Sequence, residues 1–178
     1  MTPRLIVVGL GNKGEQYATT RHNVGFRVVD QLASDLWETK KGHDALENRV
    51  TIHDTIILLV KPQNFMNESG ATVQRLLDFY HLDPSHLLVV HDDVDLPLGT
   101  MRLQKGRGAA GHKGVESVIQ RLKTDEFLRL RCGIGRPSRG DVEQFVLEPF
   151  SKEEEPIVQR MVTDAIQTIR DHFSSIAA

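Results

Sequence analysis

Three uninterrupted apolar runs, "LIVV" at 5–8, "IILLV" at 56–60 and "LLVV" at 87–90, constrain this chain more than any other feature. Each is of about strand length, and the last, which runs on into carboxylates, reads as a buried strand. Elsewhere the apolar spacing becomes helical. "VGFRVVDQLASDLW" sets Val24, Val28, Leu32 and Leu36 along one face, and "ESGATVQRLLDFYHL" and "HKGVESVIQRLK" read as further helices. "RVTIHDTIILLVKP" reads as two strands joined by a short turn and closed by Pro62, while "TMRLQK" and "FLRLRCGIG" are single strands. A last helix opens at "SKEE", with Ser151 and Glu154 as a capping box, and runs through Ile157, Met161, Ala165, Ile166 and Ile169. The alternation predicts an α/β fold, a single domain over residues 1–178 with a mixed, mostly parallel central sheet flanked by helices. In such sheets ligands gather at the carboxyl ends of the strands.

The first of those ends is "GLGNKG", which spells G-x-G-x-x-G. A dinucleotide fingerprint needs its helix to begin at the glycines, so that the helix N-terminus meets the pyrophosphate. Here helical spacing starts only at Val24, ten residues after Gly14. Asp30, at the distance expected of a ribose-binding acid, falls inside the helical pattern. The glycines therefore serve something other than a nucleotide. The loop that follows supplies Asn12, Tyr17, Arg21, His22 and Asn23 instead.

Two other strand ends add to it. "KPQNFMNESG" brings Phe65, Met66 and Asn67, and "VVHDDVD" brings His91, Asp92, Asp93 and Asp95. The second cluster has two readings: a carboxylate site for a hard cation, or one aspartate orienting an imidazole that accepts a proton. Nucleophiles are scarce. No G-x-S-x-G occurs; Ser69 and Ser117 fall in helical patterns and Cys132 in a strand. Without a covalent nucleophile, a His–Asp pair would activate water.

The formal net charge of −2 conceals an asymmetry. Residues 100–140 hold ten Lys or Arg against three acids, so the segment carries +7 and the remainder −9. Within it, "QKGRGAAGHKG" interleaves cations with glycines that let backbone N–H groups approach a ligand. This predicts one face that meets phosphate. The single cysteine precludes an intrachain disulfide and fits a reducing compartment. No stretch approaches the roughly 18 apolar residues of a membrane helix, and "MTPRLIVVGLG" lacks the flanks of a signal peptide. A cytoplasmic location is expected.

In order along the chain, "LIVVGLGN", "TRHNVGF", "KPQNFMNESG", "HDDVDLPLG", "GAAGHKGVESVI", "RLRCGIGRP" and "VLEPF" resemble the bacterial-type peptidyl-tRNA hydrolases. The resemblance covers almost the whole sequence. It implies a monomeric esterase, independent of metal and cofactor, that cleaves the ester between a peptide and the terminal ribose of tRNA. Peptidyl-tRNA is then the partner, recycled after premature release from ribosomes. The resemblance implies His22 as general base, Asp92 as its supporting carboxylate, and Asn12 as the amide that tells blocked from free aminoacyl groups. It likewise implies Asn67 as a substrate-binding amide, with Tyr17 and Phe65 lining the site of the tRNA end. Lys105 and Arg107, from the basic segment, are expected to grip tRNA phosphates.

Two positions depart from the family pattern. "GNKG" puts Lys13 in place of a proline, and "GHKG" puts Lys113 in place of an asparagine. An ammonium offers three donors and no acceptor. Lys113 is therefore expected to meet a phosphate at the start of "HKGVESVIQRLK", where backbone N–H groups favour anions. Two alternatives stand beside hydrolysis by a His–Asp pair: a non-catalytic RNA-binding relative of the same fold, and a metal-dependent hydrolase built on "HDDVD".

Overall fold

The structure, a computed structural model, describes residues 2–176. In chain order its elements are β1 (Leu5–Gly9), α1 (Val24–Leu32), β2 (Glu38–Thr39), β3 (Ala45–Ile52), β4 (Thr55–Pro62), α2 (Ser69–Tyr80), β5 (Leu87–Asp93), β6 (Met101–Lys105), α3 (Lys113–Leu122), β7 (Leu128–Gly133), α4 (Val142–Val146) and α5 (Glu155–Ile176). The strands form one sheet in the order β2-β3-β4-β1-β5-β7-β6. Its centre, β4, β1, β5 and β7, is parallel, while β2 and β3 at one flank and β6 at the other pair antiparallel. No helix among the described residues is long and apolar enough to cross a membrane.

The three apolar runs are β1, β4 and β5, and helices cover both faces of the sheet they share. Because side chains alternate along a strand, β1 sends Val7 to one core, with Val28, Leu59, Met161 and Ile169 from α1, β4 and α5. Ile6 and Val8 go to the other, with Leu58, Val73, Leu76 and Val118 from β4, α2 and α3. The β3–β4 turn puts His53 (φ 45°) and Asp54 (φ 64°) in the left-handed region, as a two-residue hairpin turn requires. The Ser151–Glu154 box forms in both directions: Ser151 N–H donates to Glu154 Oε2 (2.7 Å), and Glu154 N–H donates to Ser151 Oγ (3.2 Å).

Gly9 of the first motif works together with Gly25 of α1. A Cβ on Gly9 would lie 2.3 Å from the Gly25 carbonyl oxygen, and one on Gly25 would lie 2.4 Å from that of Val90. These glycines let α1 lie against the backbones of β1 and β5. That close approach sets the turn just before α1 directly over the strand ends.

The structure departs from the expected α1. The apolar stripe predicts a helix that includes Leu36, but the helix ends at Leu32 and Leu36 is 89% exposed. Asn48 Nδ2 on β3 donates to the carbonyls of Asp35 (3.0 Å) and Leu36 (3.3 Å), holding this segment outside the helix. A tertiary hydrogen bond thus overrides a continuing apolar stripe. Strand β2 and helix α4, two and five residues long, have no counterpart in the sequence pattern.

Gly25→Ala is expected to destabilise the fold by about 1–3 kcal/mol, because backbone atoms, not side-chain tips, must move to admit the methyl group. A thermal melt unchanged from wild type would show that α1 has room to spare.

Candidate active site

The loop between β1 and α1 is tied down by its own buried polar groups. Arg21 is 6% exposed, and its Nη1 donates to the carbonyls of Glu148 (3.3 Å) and Pro149 (3.0 Å). Its Nη2 pairs with Glu154 Oε2 at 2.8 Å, and its guanidinium lies 4.2 Å from the centre of the Phe145 ring. Arg21 therefore clamps the loop to "VLEPF" and to the cap of α5. Next to it, Asn23 makes a reciprocal pair with Asn12. Its Oδ1 accepts the Asn12 backbone N–H, and its Nδ2 donates to the Asn12 carbonyl, both at 2.9 Å.

Between these anchors His22 meets Asp92 at the end of β5. His22 Nδ1 lies 3.0 Å from Asp92 Oδ1 and 2.9 Å from Oδ2. A second imidazole reaches the same carboxylate, with His112 Nε2 at 2.8 Å from Asp92 Oδ1. His112 is also the N-cap of α3: its Nδ1 accepts the backbone N–H of Gly114 (3.1 Å) and of Val115 (3.2 Å). This network assigns the protons. A carboxylate only accepts, so each histidine donates through the nitrogen facing Asp92. His112, accepting at Nδ1, is then the neutral Nε2–H form. His22, donating at Nδ1, keeps the lone pair of Nε2 on the far side of its ring.

The charges follow from burial and neighbours. Burial raises the Asp92 carboxyl, but the imidazoles of His22 and His112, both donating N–H to it, outweigh this and hold the group well below the ordinary carboxylate range. Burial lowers His22, and the charge and hydrogen bond of Asp92 more than offset this, leaving it above its usual 6.5. His91 turns away from the pair and donates Nδ1–H to the Asp92 carbonyl at 2.7 Å. Burial, with His112 nearby, drives it down to about 3. Burial beside Asp92 and Asp93 pushes the Cys132 thiol up to about 12, so it is no nucleophile at neutral pH.

His22 and Asp92 open onto a cavity of about 490 Å³. Asn12, Met66, His112 and Lys113 line it, together with Ala109–Gly111 and with Val142, Glu143, Val146 and Leu147 around α4. No serine, threonine or cysteine is among its lining residues.

The sequence model of the peptidyl-tRNA hydrolase family matches residues 6–177. The peptidyl-tRNA hydrolase of Persephonella marina is 48% identical over 92% of this chain and 87% of its own length. That of Aquifex aeolicus is 46% identical, with 92% and 87% covered. A crystal structure of peptidyl-tRNA hydrolase from Acinetobacter baumannii superposes with a TM-score of 0.88 at 30% identity, covering 99% of this chain and 93% of that one. The chain belongs to the peptidyl-tRNA hydrolase family.

Of the candidate site residues named from the sequence, Asn12, His22, Asp92 and Lys113 come together on this one cavity. The others lie off its lining. Phe65 (72% exposed) and Asn67 flank Met66 in the turn that enters α2, and Tyr17 is half-buried in the loop after β1. Lys105 is exposed, 3.8 Å from Glu126. Arg107 borders a second cavity of about 370 Å³ with Arg102, Arg129 and Arg131. One alternative finds no support, and one expectation, at the start of α3, is corrected. "HDDVD" does not converge on a cation: Asp93 pairs with Arg131 (2.6 Å) and Asp95 with Arg136 (2.5 Å), while His91 bonds the backbone. The first turn of α3 is not open to an anion through Gly114 and Val115, because His112 takes both N–H groups.

His22, Asp92 and His112 do bring three donor atoms within 4.8 Å of one another. A cation bound to His112 Nε2 would move the ring proton to Nδ1, against the two backbone N–H groups already pointing there. Metal binding at this triad therefore costs the cap of α3. His112, Asn23 and Arg21 carry the geometry, yet sequence alone assigns none of them this role. For His112 the signal is available: a histidine immediately before a helical pattern can serve as its cap.

Nitrogen-15 NMR of the histidine rings tests this assignment. His112 should be protonated at Nε2 alone, His91 should stay neutral down to about pH 3, and His22 should titrate above 6.5. A His112 ring protonated at Nδ1 would contradict the network.

Proposed function

We propose that this chain hydrolyses the ester between a peptide, or an N-blocked aminoacyl group, and the terminal ribose of tRNA. Water attacks the carbonyl carbon while His22 Nε2 takes its proton. Asp92, fixed on the other side of the ring, stabilises the imidazolium and keeps the accepting tautomer. The ester C–O bond breaks, and the proton passes from His22 to the departing ribose oxygen. The carboxylate shared by two histidines, at a cavity without a hydroxyl or thiol nucleophile, is the observation that carries this reading.

Asn12 fits the part of sensing the blocked amine. Its backbone is fixed by Asn23 from both sides, and its side-chain amide can both donate and accept. Phe65 and Asn67, exposed beside Met66, are available to the tRNA end, Phe65 by stacking. Lys105, Arg107 and Lys113 supply positive charge for its phosphates. The reading requires no metal or cofactor, and it has the protein working as a monomer in the cytoplasm.

The direct test offers N-acetylaminoacyl-tRNA and unblocked aminoacyl-tRNA with a chelator present. Release from the blocked substrate alone is expected, and His22→Ala should lower its turnover by about 10²–10⁴ with tRNA binding kept. Activity lost to the chelator, or near-normal turnover in the variant, would overturn the mechanism. Neutralising Lys105 and Arg107 together should raise KM for tRNA substrates and flatten its salt dependence by about one unit of slope for each phosphate no longer neutralised. An unaltered slope would leave those cations outside the interface.

A further inference from the structure

Lys113 is not a free cation. Its Nζ lies 2.7 Å from Glu143 Oε1, in the first turn of α4, and both residues line the catalytic cavity. They belong to separate walls. Lys113 follows directly on His112, which holds Asp92, whereas Glu143 lies in the first turn of α4, on the wall that also carries Val142, Val146 and Leu147. The two side chains are 58% and 67% exposed, against 2% for Asp92. The ion pair thus ties the two walls at the rim of the cavity, and the carboxylate lies at its floor. Two more acids act on the ammonium, Asp141 and Glu116, so Lys113 stands among three carboxylates.

We propose that the Lys113–Glu143 pair is a latch on the catalytic cavity that a phosphate of the tRNA acceptor end releases. The inference rests on the function proposed above. An exposed ion pair is weak and exchangeable, and a tRNA end brings several phosphate charges to the ammonium at once, against the single carboxylate of Glu143. A phosphate that reaches Lys113 also meets the charge of Glu143, and like charges at close range repel. Lys113 keeps a partner throughout, Glu143 loses its own, and the α4 wall is released from the α3 side. A substrate without a phosphate brings nothing to exchange and must open the rim against the pair. Lysine at this position therefore makes cavity access depend on tRNA, which an asparagine in the same place could not do by charge.

The test compares kcat/KM on N-acetylaminoacyl-tRNA with kcat/KM on the N-acetylaminoacyl ester of adenosine, which has no phosphate. Glu143→Gln removes the latch and leaves Lys113 for the tRNA. Its expected effect is a gain of about two- to fivefold on the adenosine ester through a lower KM, and a smaller gain on tRNA, so that the preference for tRNA falls. Lys113→Asn should give the same gain on the ester together with a loss on tRNA. A preference that Glu143→Gln leaves unchanged or raises overturns the latch, as does a loss on the ester in either variant. Wild-type protein that releases nothing from N-acetylaminoacyl-tRNA would overturn the underlying function instead, so the two failures are distinguishable.

Discussion

The Asp92 carboxylate, 2% exposed and bonded by two imidazoles, is the constraint on which the rest of this structure turns. A buried charge persists only where polar partners replace the water it has lost. His22 and His112 do so from separate segments, one on the turn before α1 and the other at the start of α3. Each must then be held. For His22 this is the work of the Gly9–Gly25 contact, which seats α1 on the sheet, and of Arg21, which fastens the turn to residues 145–154. For His112 it is the helix itself, since two backbone N–H groups in the first turn of α3 grip Nδ1.

Neighbouring groups are silenced by the same burial. Asp93 is one residue away but points to the opposite face of the strand, where Arg131 takes its charge. His91 gives one ring nitrogen to the backbone and keeps the other buried, and Cys132, beside Asp92 in the sheet, is held protonated. Of the titratable groups around the end of β5, His22 is left with an available lone pair facing away from its carboxylate. A chemically crowded strand end therefore presents a single base.

Much of this is legible in the sequence, and the limits are physical. The runs at 5–8, 56–60 and 87–90 declare themselves as strands, and the structure sets all three at the centre of the sheet, where a strand covered on both faces needs no polar alternation. The late start of helical spacing after Gly14 excludes a nucleotide fingerprint, and the structure shows what the glycines do instead. Leu36 is misplaced by the pattern because its stripe continues the helix while Asn48, on another strand, holds the backbone open. The role of Arg21 is hidden because its partners lie 124 to 133 residues along the chain. That of His112 depends on which ring nitrogen caps the helix, a fact of three-dimensional geometry. Helix α4 carries too few residues for any periodicity to show.

In the proposed reaction, Asp92 makes His22 a neutral, oriented base with a raised pKa. A base must be unprotonated to act, so activity falls as the pH drops through the pKa of His22, and Asp92 sets that limb higher than an isolated imidazole would. The pH dependence of kcat/KM for Asp92→Asn against wild type, on N-acetylaminoacyl-tRNA, tests this most directly. The variant should show a plateau lower by about 10²–10⁴ and an acid limb displaced to lower pH. An acid limb that stays in place with an undiminished plateau would show that the carboxylate neither charges nor orients the histidine.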